Sequence, residues 1–325
     1  MNQPFLLAIT LLILLGCNPT HDSSKAEDEE AAQPPQVEAS KPKVSFTFDD
    51  GITQDLAAYP FEDWNEMILT ALREAKVTST FFVTGSNKLD EKGQYLLRSW
   101  SEQGHQIGNH TYSHPNFNDD KLTVSDFENQ LLRTDKIIAK YPGYVKLFRF
   151  PYLKEGNNRA KIDGFRNILA QHDYRNGYVS IDASDWYINS ELIKSIRKHG
   201  EQNAKLDNYK AYYLQHILER AHYYEELSYK LTHRHVQHTL LLHHNLTSAL
   251  FLGDLIQAFQ ENGWEVIDAE QAFQDEIYQS QPNTIPAGES IIWSLAKESG
   301  QYEDELRYPA EDSRYEIPKM KKLGI

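Results

Sequence analysis

The sequence predicts an α/β fold of repeated strand-then-helix units whose parallel strands close, or nearly close, into a barrel. Three observations lead there. Short β-branched and aromatic runs alternate with stretches of helical spacing between residues 43 and 267, and that alternation requires parallel strands with helical crossovers. Six or more such units favour a curled, closing sheet over an open one. Finally, the strands stop at residues that are expensive to bury: Asp49-Asp50, Asn109-His110, Arg149, Asp182 with Asp185, and His243-His244. The C-terminal ends of parallel barrel strands share one face, so residues spread from 49 to 244 should meet in one cleft.

Each element follows from local pattern. Residues 43–48 (Lys-Val-Ser-Phe-Thr-Phe) have strand character. Residues 62–76 carry Trp64, Met67, Ile68 and Leu72 at helical spacing. A strand at 79–83, broken by Gly85, precedes a helix at 95–104 with Leu96, Leu97 and Trp100. Gln106-Ile107 is a short strand, and 126–139 a helix capped by Ser125. A strand at 145–148, a helix at 161–172 and a strand at 177–181 follow. Residues 190–237 form a long helical insertion rich in tyrosine (Tyr209, Tyr212, Tyr213, Tyr223, Tyr224, Tyr229), which walls the groove or packs on the barrel. The strand at 238–242, the helix at 248–261 ended by Gly263 and the strand at 264–267 complete the alternation. The extension 270–325 has no readable motif, but Trp293 and other aromatics predict an ordered segment against the barrel.

Of the 325 residues, 47 are acidic and 33 are Lys or Arg, a net charge of −14, which excludes a general electrostatic footprint for nucleic acid. The one cysteine, Cys17, excludes an intramolecular disulfide and any multi-cysteine metal site. It follows an apolar run, 5–16, that is short for a bilayer span and suits an export signal. Leu14-Leu15-Gly16-Cys17 resembles a bacterial lipobox, although Met1–Pro4 lacks the usual Lys or Arg. The expectation is a signal peptide over 1–17, lipidation of Cys17, and a protein anchored in the bacterial envelope, at the outer membrane facing the periplasm. Residues 18–42 are acidic and poor in apolar material, so they read as a flexible linker. The folded domain is expected over 43–325.

The candidate chemistry lies at the strand ends. His110 and His114 are four apart, a spacing that puts two imidazoles on one metal when the chain turns tightly, and otherwise makes a surface pair. Asp49 and Asp50 would repel each other unless a cation or an arginine offsets them, and Arg149 is a candidate partner. Asp185-Trp186 is either a helix cap with a core tryptophan or part of the cleft. His243 and His244 follow three leucines and are either hydrogen-bonded core or a poised acid/base group. His216, His222, His233, His235 and His238 read as ordinary surface or core polar residues.

Taken in order, Thr47-Phe48-Asp49-Asp50-Gly51, His110-Thr111-Tyr112-Ser113-His114, Arg149-Phe150-Pro151-Tyr152, Asp185-Trp186 and Leu241-Leu242-His243 resemble the five motifs of NodB-type polysaccharide deacetylases, carbohydrate esterase family 4, across 43–269. The resemblance implies a distorted (β/α)7-8 barrel. It implies one divalent metal, zinc first and cobalt, nickel or manganese as alternatives, on Asp50, His110 and His114. It makes Asp49 the general base held by Arg149, and His243 the general acid tuned by Asp185, with His244 the alternative. It assigns the Tyr152 backbone N–H to the oxyanion, and Trp186 and Leu241 to the pocket for the acetyl methyl. The implied partner is an acetylated envelope glycan, N-acetylated or O-acetylated, with no nucleic acid and no obligate protein partner. A small-molecule amide hydrolase of the same superfamily and a non-catalytic glycan-binding lipoprotein are the alternatives. Two motifs depart from the family pattern: His243-His244-Asn245 replaces a single histidine followed by aspartate, and Phe150 replaces a second proline.

Overall fold

The computed structural model describes residues 41–306 and 313–325; Cys17, the signal segment and nearly all of the linker lie outside them. In chain order the elements are β1 (Lys43–Asp50), α1 (Phe61–Ala75), β2 (Thr80–Val83), α2 (Glu91–Ser101), β3 (Gln106–Asn109), α3 (Val124–Ile138), β4 (Tyr144–Phe148), β5 (Lys154–Gly156), α4 (Arg159–Gln171) and β6 (Arg175–Asn176). They continue with α5 (Asp185–His199), α6 (Leu206–Thr232), β7 (Gln237–His243), α7 (Leu246–Glu261), β8 (Glu265–Val266), α8 (Ala269–Ala272), β9 (Ala287–Gly288), α9 (Ile291–Ser299) and α10 (Glu316–Lys322). Among the described residues no helix is long and apolar enough to cross a membrane.

The main sheet is parallel and ordered β6-β4-β3-β2-β1-β7, with β8 beside the start of β1. Strand β1 is its axis. Val44, Phe46 and Phe48 face the helices, where Phe46 meets Phe259 of α7 (5.8 Å between centroids) and Phe48 meets Trp100 of α2 (5.3 Å). By strand alternation, Ser45, Thr47 and Asp49 take the other face. Both faces are buried, which a parallel sheet covered by helices requires.

The sheet curls until its ends nearly meet, and the closing piece differs from the strand expected at 177–181. Only Arg175–Asn176 pairs with β4. After Gly177 N–H donates to Phe148 O (2.7 Å), the chain leaves β4 and reaches β7, where Ile181 N–H donates to Thr239 O and Ile181 O accepts from Leu241 N–H, each at 3.0 Å. A segment that crosses between two diverging strands cannot keep a continuous ladder with either. Gly177 makes the crossing possible, because a Cβ there would lie 2.5 Å from the Phe82 ring.

Other differences are local. Thr123, not Ser125, caps α3, in a reciprocal capping box with Asp126. Helix α7 begins at Leu246 rather than 248, because Asn245 caps it. Phe150 is buried against Phe127, Phe148 and Phe165 and does not line the main cleft. The insertion becomes the end of α5 and the whole of α6; Tyr209, Tyr212, Tyr213 and Tyr224 are buried on the barrel, and none of them reaches the cleft. In the extension, β9 pairs with β5, and Ile291 N–H donates to Val179 O (2.8 Å).

Gly177→Ala should destabilise the fold by about 1–3 kcal/mol, the cost of overpacking a filled core. A thermal or urea unfolding curve indistinguishable from wild type would refute the crossing argument.

Candidate active site

Four strand ends (β1, β3, β4 and β7) and the closing segment deliver side chains to one cavity of about 370 Å³, walled by Asp49, Asp50, His110, His114, Tyr152, Leu153, Asp182, Ala183, Trp186, Leu241 and His243. Asp49 and Asp50 end β1, and His110 follows β3 directly. His114 closes a turn in which Thr111 and His114 both take positive φ (67° and 56°). Asp50, Tyr152 and Leu153 do likewise (79°, 57° and 54°). Such conformations cost side-chain-bearing residues of order 1–3 kcal/mol each, so the surrounding fold over-determines them. Thr111 Oγ1 accepts from His114 N–H (3.1 Å), and the Tyr152 ring lies against His114 (4.5 Å between centroids).

Asp50, His110 and His114 each offer one atom, all within 4.8 Å of one another. Asp50 Oδ1 is 3.4 Å from His114 Nε2 and 3.7 Å from His110 Nε2. Tetrahedral bonds of about 2.1 Å to a divalent ion put ligand atoms about 3.4 Å apart, so the donor set fits such an ion. His110 Nδ1 donates to Arg149 O (2.8 Å), which fixes the tautomer and leaves Nε2 free to ligate. Burial pulls both imidazoles down to about 4, His114 also through its neighbour His110, so both are neutral at pH 7. Burial opposes ionisation of Asp50, but His243, His114, His110 and Lys88 outweigh it and hold the carboxyl below its usual range.

Asp49 stands beside this set, with Oδ2 3.7 Å from His110 Nε2. Its Oδ1 accepts from Arg149 Nη1 at 2.7 Å. Arg149 is fully enclosed: Nη1 also donates to Thr47 Oγ1 and Nε to Gly177 O, both at 2.8 Å, and its guanidinium covers the Phe82 ring. Burial raises Asp49 to about 6 against the pull of Arg149 and His243.

Across the cavity, buried Asp185 at the start of α5 accepts from His243 twice, from Nδ1 (2.6 Å) and from the backbone N–H (2.8 Å). Asn245 Nδ2 donates to the same carboxylate (3.0 Å). Burial works against a charged His243, but Asp185 prevails and lifts it to about 10. His244 points the other way, into Trp64, Phe81 and Trp100, with Nε2 3.0 Å from Asn65 Oδ1. The structure therefore gathers every residue expected at the site except His244. The support from Thr47, Gly177 and Asn245 was not anticipated. Thr47 was readable from its place two residues before Asp49 on one strand face; Gly177 carries no such signal.

The match to known proteins agrees with this geometry. A polysaccharide deacetylase family model matches residues 36–177. A peptidoglycan-N-acetylglucosamine deacetylase of Bacillus cereus is 33% identical over 148 residues, 45% of this chain and 47% of that protein. A second protein of that description from Bacillus cereus is 31% identical over 169 residues, 50% of this chain and 68% of the relative. A chitooligosaccharide deacetylase of Sinorhizobium fredii is 29% identical, over 47% of this chain and 63% of its own. The crystal structure of a CE4 family pseudoenzyme from Bacillus anthracis shares the fold, with a TM-score of 0.50 at 18% identity over 71% of this chain and 65% of that one. The chain belongs to the polysaccharide deacetylase family, the NodB-type carbohydrate esterases of family 4. It spans about half the length of the first Bacillus cereus relative. Asp185, Trp186, Leu241 and His243 lie beyond the span of the family match.

Asp185→Asn should remove the charge that lifts His243, so burial prevails and the ring titrates several units below about 10. NMR titration of the imidazole in metal-free protein measures this. Because the folded value exceeds the unfolded one, the pair stabilises the fold fully below about pH 6.5 and its contribution fades as pH rises through about 10.

Proposed function

We propose that the protein hydrolyses acetyl groups from N-acetylated glycans of the bacterial envelope. The observation that carries the reading is the convergence of Asp50, His110 and His114 beside Asp49, with His243 on the same cavity wall. The names of the relatives, which act on peptidoglycan and chitooligosaccharide, support the substrate class. O-acetylated sugars present the same carbonyl and are a second substrate of the same chemistry.

A divalent ion on Asp50, His110 and His114, zinc by the nitrogen-rich donor set, supplies Lewis acidity at the carbonyl and acidifies water. The chain's own groups do the rest. Asp49, ionised above about pH 6 and aimed by Arg149, takes the proton of the attacking water. The Tyr152 backbone N–H is assigned to the charge that develops on the carbonyl oxygen. Trp186 and Leu241 offer the apolar wall for the acetyl methyl. His243, kept protonated by Asp185, gives its proton to the departing amine. His243 is preferred to His244 because it alone of the two borders the cavity.

Zinc-loaded protein should release acetate from N-acetylglucosamine oligomers or peptidoglycan fragments, and a chelator should abolish release. Asp49→Asn should lower kcat by about 10²- to 10⁴-fold, the usual share of a general base. Undiminished turnover in that variant would remove Asp49 from its role, and zinc binding that survives replacement of both His110 and His114 would remove the metal site.

We assign the envelope location to lipidation of Cys17, on the lipobox-like Leu14-Leu15-Gly16-Cys17 run. Cys17→Ser should shift the protein from the membrane fraction to the soluble one, and mass spectrometry of the wild type should find acyl chains on Cys17.

A further inference from the structure

The turn that joins His110 to His114 belongs to no helix or strand, so its backbone N–H groups need partners elsewhere. All four, at 111–114, find a side-chain oxygen. Thr111 N–H donates to Asn109 Oδ1 (3.0 Å) and His114 N–H to Thr111 Oγ1 (3.1 Å). The two between them, Tyr112 N–H (3.1 Å) and Ser113 N–H (2.8 Å), both donate to one atom, Gln130 Oε1. The same oxygen accepts from the Ser113 hydroxyl (3.1 Å). Asn109 and Thr111 are neighbours of the turn in sequence. Gln130 reaches it from α3 and lies in none of the five motifs.

The two histidines are held by different means. His110 is placed by the sheet: its N–H donates to Val83 O (3.0 Å) and its Nδ1 to Arg149 O (2.8 Å). His114 stands four residues further on, and the shape of the turn sets where its ring points. That shape includes two left-handed residues, Thr111 and His114, and such backbone persists only where its surroundings enforce it. The carbonyl side of the turn is fixed by the chain after β2, with Gly85 N–H on Thr111 O (2.9 Å) and Ser86 N–H on Tyr112 O (2.7 Å). Gln130 fixes the amide side. Asn109 is tied to the same helix, through Nδ2 to Leu131 O (3.0 Å). With the amides held, the cost of the strained backbone is met on folding; with them released, it falls on ligand binding.

We propose that Gln130 is a positioning residue for the metal. By gripping the Tyr112 and Ser113 amides it holds the turn in the shape that sets His114 Nε2 beside Asp50 and His110. The link to the metal rests on the reading of these three side chains as ligands; the grip on the turn does not.

The test titrates zinc into the full metal-free chain by calorimetry and follows acetate release from N-acetylglucosamine oligomers in parallel. Gln130→Ala should bind zinc about 10- to 100-fold more weakly, the usual cost of losing an outer support of a metal ligand. Gln130→Glu keeps an oxygen in place for the same amides and should stay within about threefold of the wild type. In the metal-free wild type, the Tyr112 and Ser113 amides should exchange with deuterium at least about tenfold more slowly than free amides. That measurement decides on the grip even where Gln130→Ala does not fold. Wild-type affinity in Gln130→Ala, a loss in Gln130→Glu as large as in Gln130→Ala, or free exchange at both amides overturns the positioning role alone. The expected zinc affinities without acetate release support the positioning role and overturn the deacetylase reading. A wild type that takes up no zinc overturns the metal site and the role of Gln130 in it together.

Discussion

One buried side chain, Arg149, ties the site to the barrel. Its guanidinium reaches Thr47 and Asp49 on β1 and the carbonyl of Gly177 on the closing segment, while its own carbonyl holds His110 after β3. An arginine enclosed this fully must be paired, because an uncompensated buried charge costs several kcal/mol. The fold that satisfies Arg149 is therefore one in which β1, β3, β4 and the closing segment come together. The same contacts aim Asp49, settle the tautomer of His110 and bring the carboxylate beside Asp50, His110 and His114. Stability and chemistry share a single arrangement of hydrogen bonds.

The two titrating groups that face each other across the cavity are pushed to opposite protonation states by their surroundings. Asp49 is desolvated but held by a permanent cation, so it is ionised at neutrality. His243 is enclosed with Asp185, whose carboxylate also receives Asn245, so it keeps its proton. The support for this second group comes from the chain beyond the family match. Ser184, next to Asp185, donates its backbone N–H to His216 on α6 (3.1 Å), and His216 and Arg220 stand against Glu316 of α10 (3.7 and 3.4 Å). The tyrosine-rich insertion and the C-terminal extension thus form a buttress behind α5 rather than a wall of the cleft.

Part of the backbone strain lies where side chains turn into the cavity. Asp50, Thr111, His114, Tyr152 and Leu153 all hold left-handed backbone at or beside the cavity. None is a glycine, so the cost is retained for the side chain or for the direction of the chain. Gly51 follows Asp50 with φ of 82°, where a Cβ would meet Lys88 Cε at 2.9 Å. The close approach of these turns leaves no room for a side chain at Gly51.

Much of this was legible in one dimension. The β-branched runs, the helical spacing and the placing of Asp49, Asp50, His110, His114, Arg149, Asp185 and His243 at or just beyond strand ends follow from the sequence, because parallel topology sends all those ends to one face. What it left open was parity and closure. His243 and His244 are adjacent, and alternation puts one on each face; only the register that pairs Asp49 with His243 decides which enters the cavity. The expected strand at 177–181 became a crossing because the gap between β4 and β7 is a property of the curled sheet. The destination of Phe150 and the partners of Arg149 likewise depend on contacts between residues far apart in the chain. Local pattern reports which residues can reach a face, whereas distances across a closed sheet arise only when all the strands are packed together.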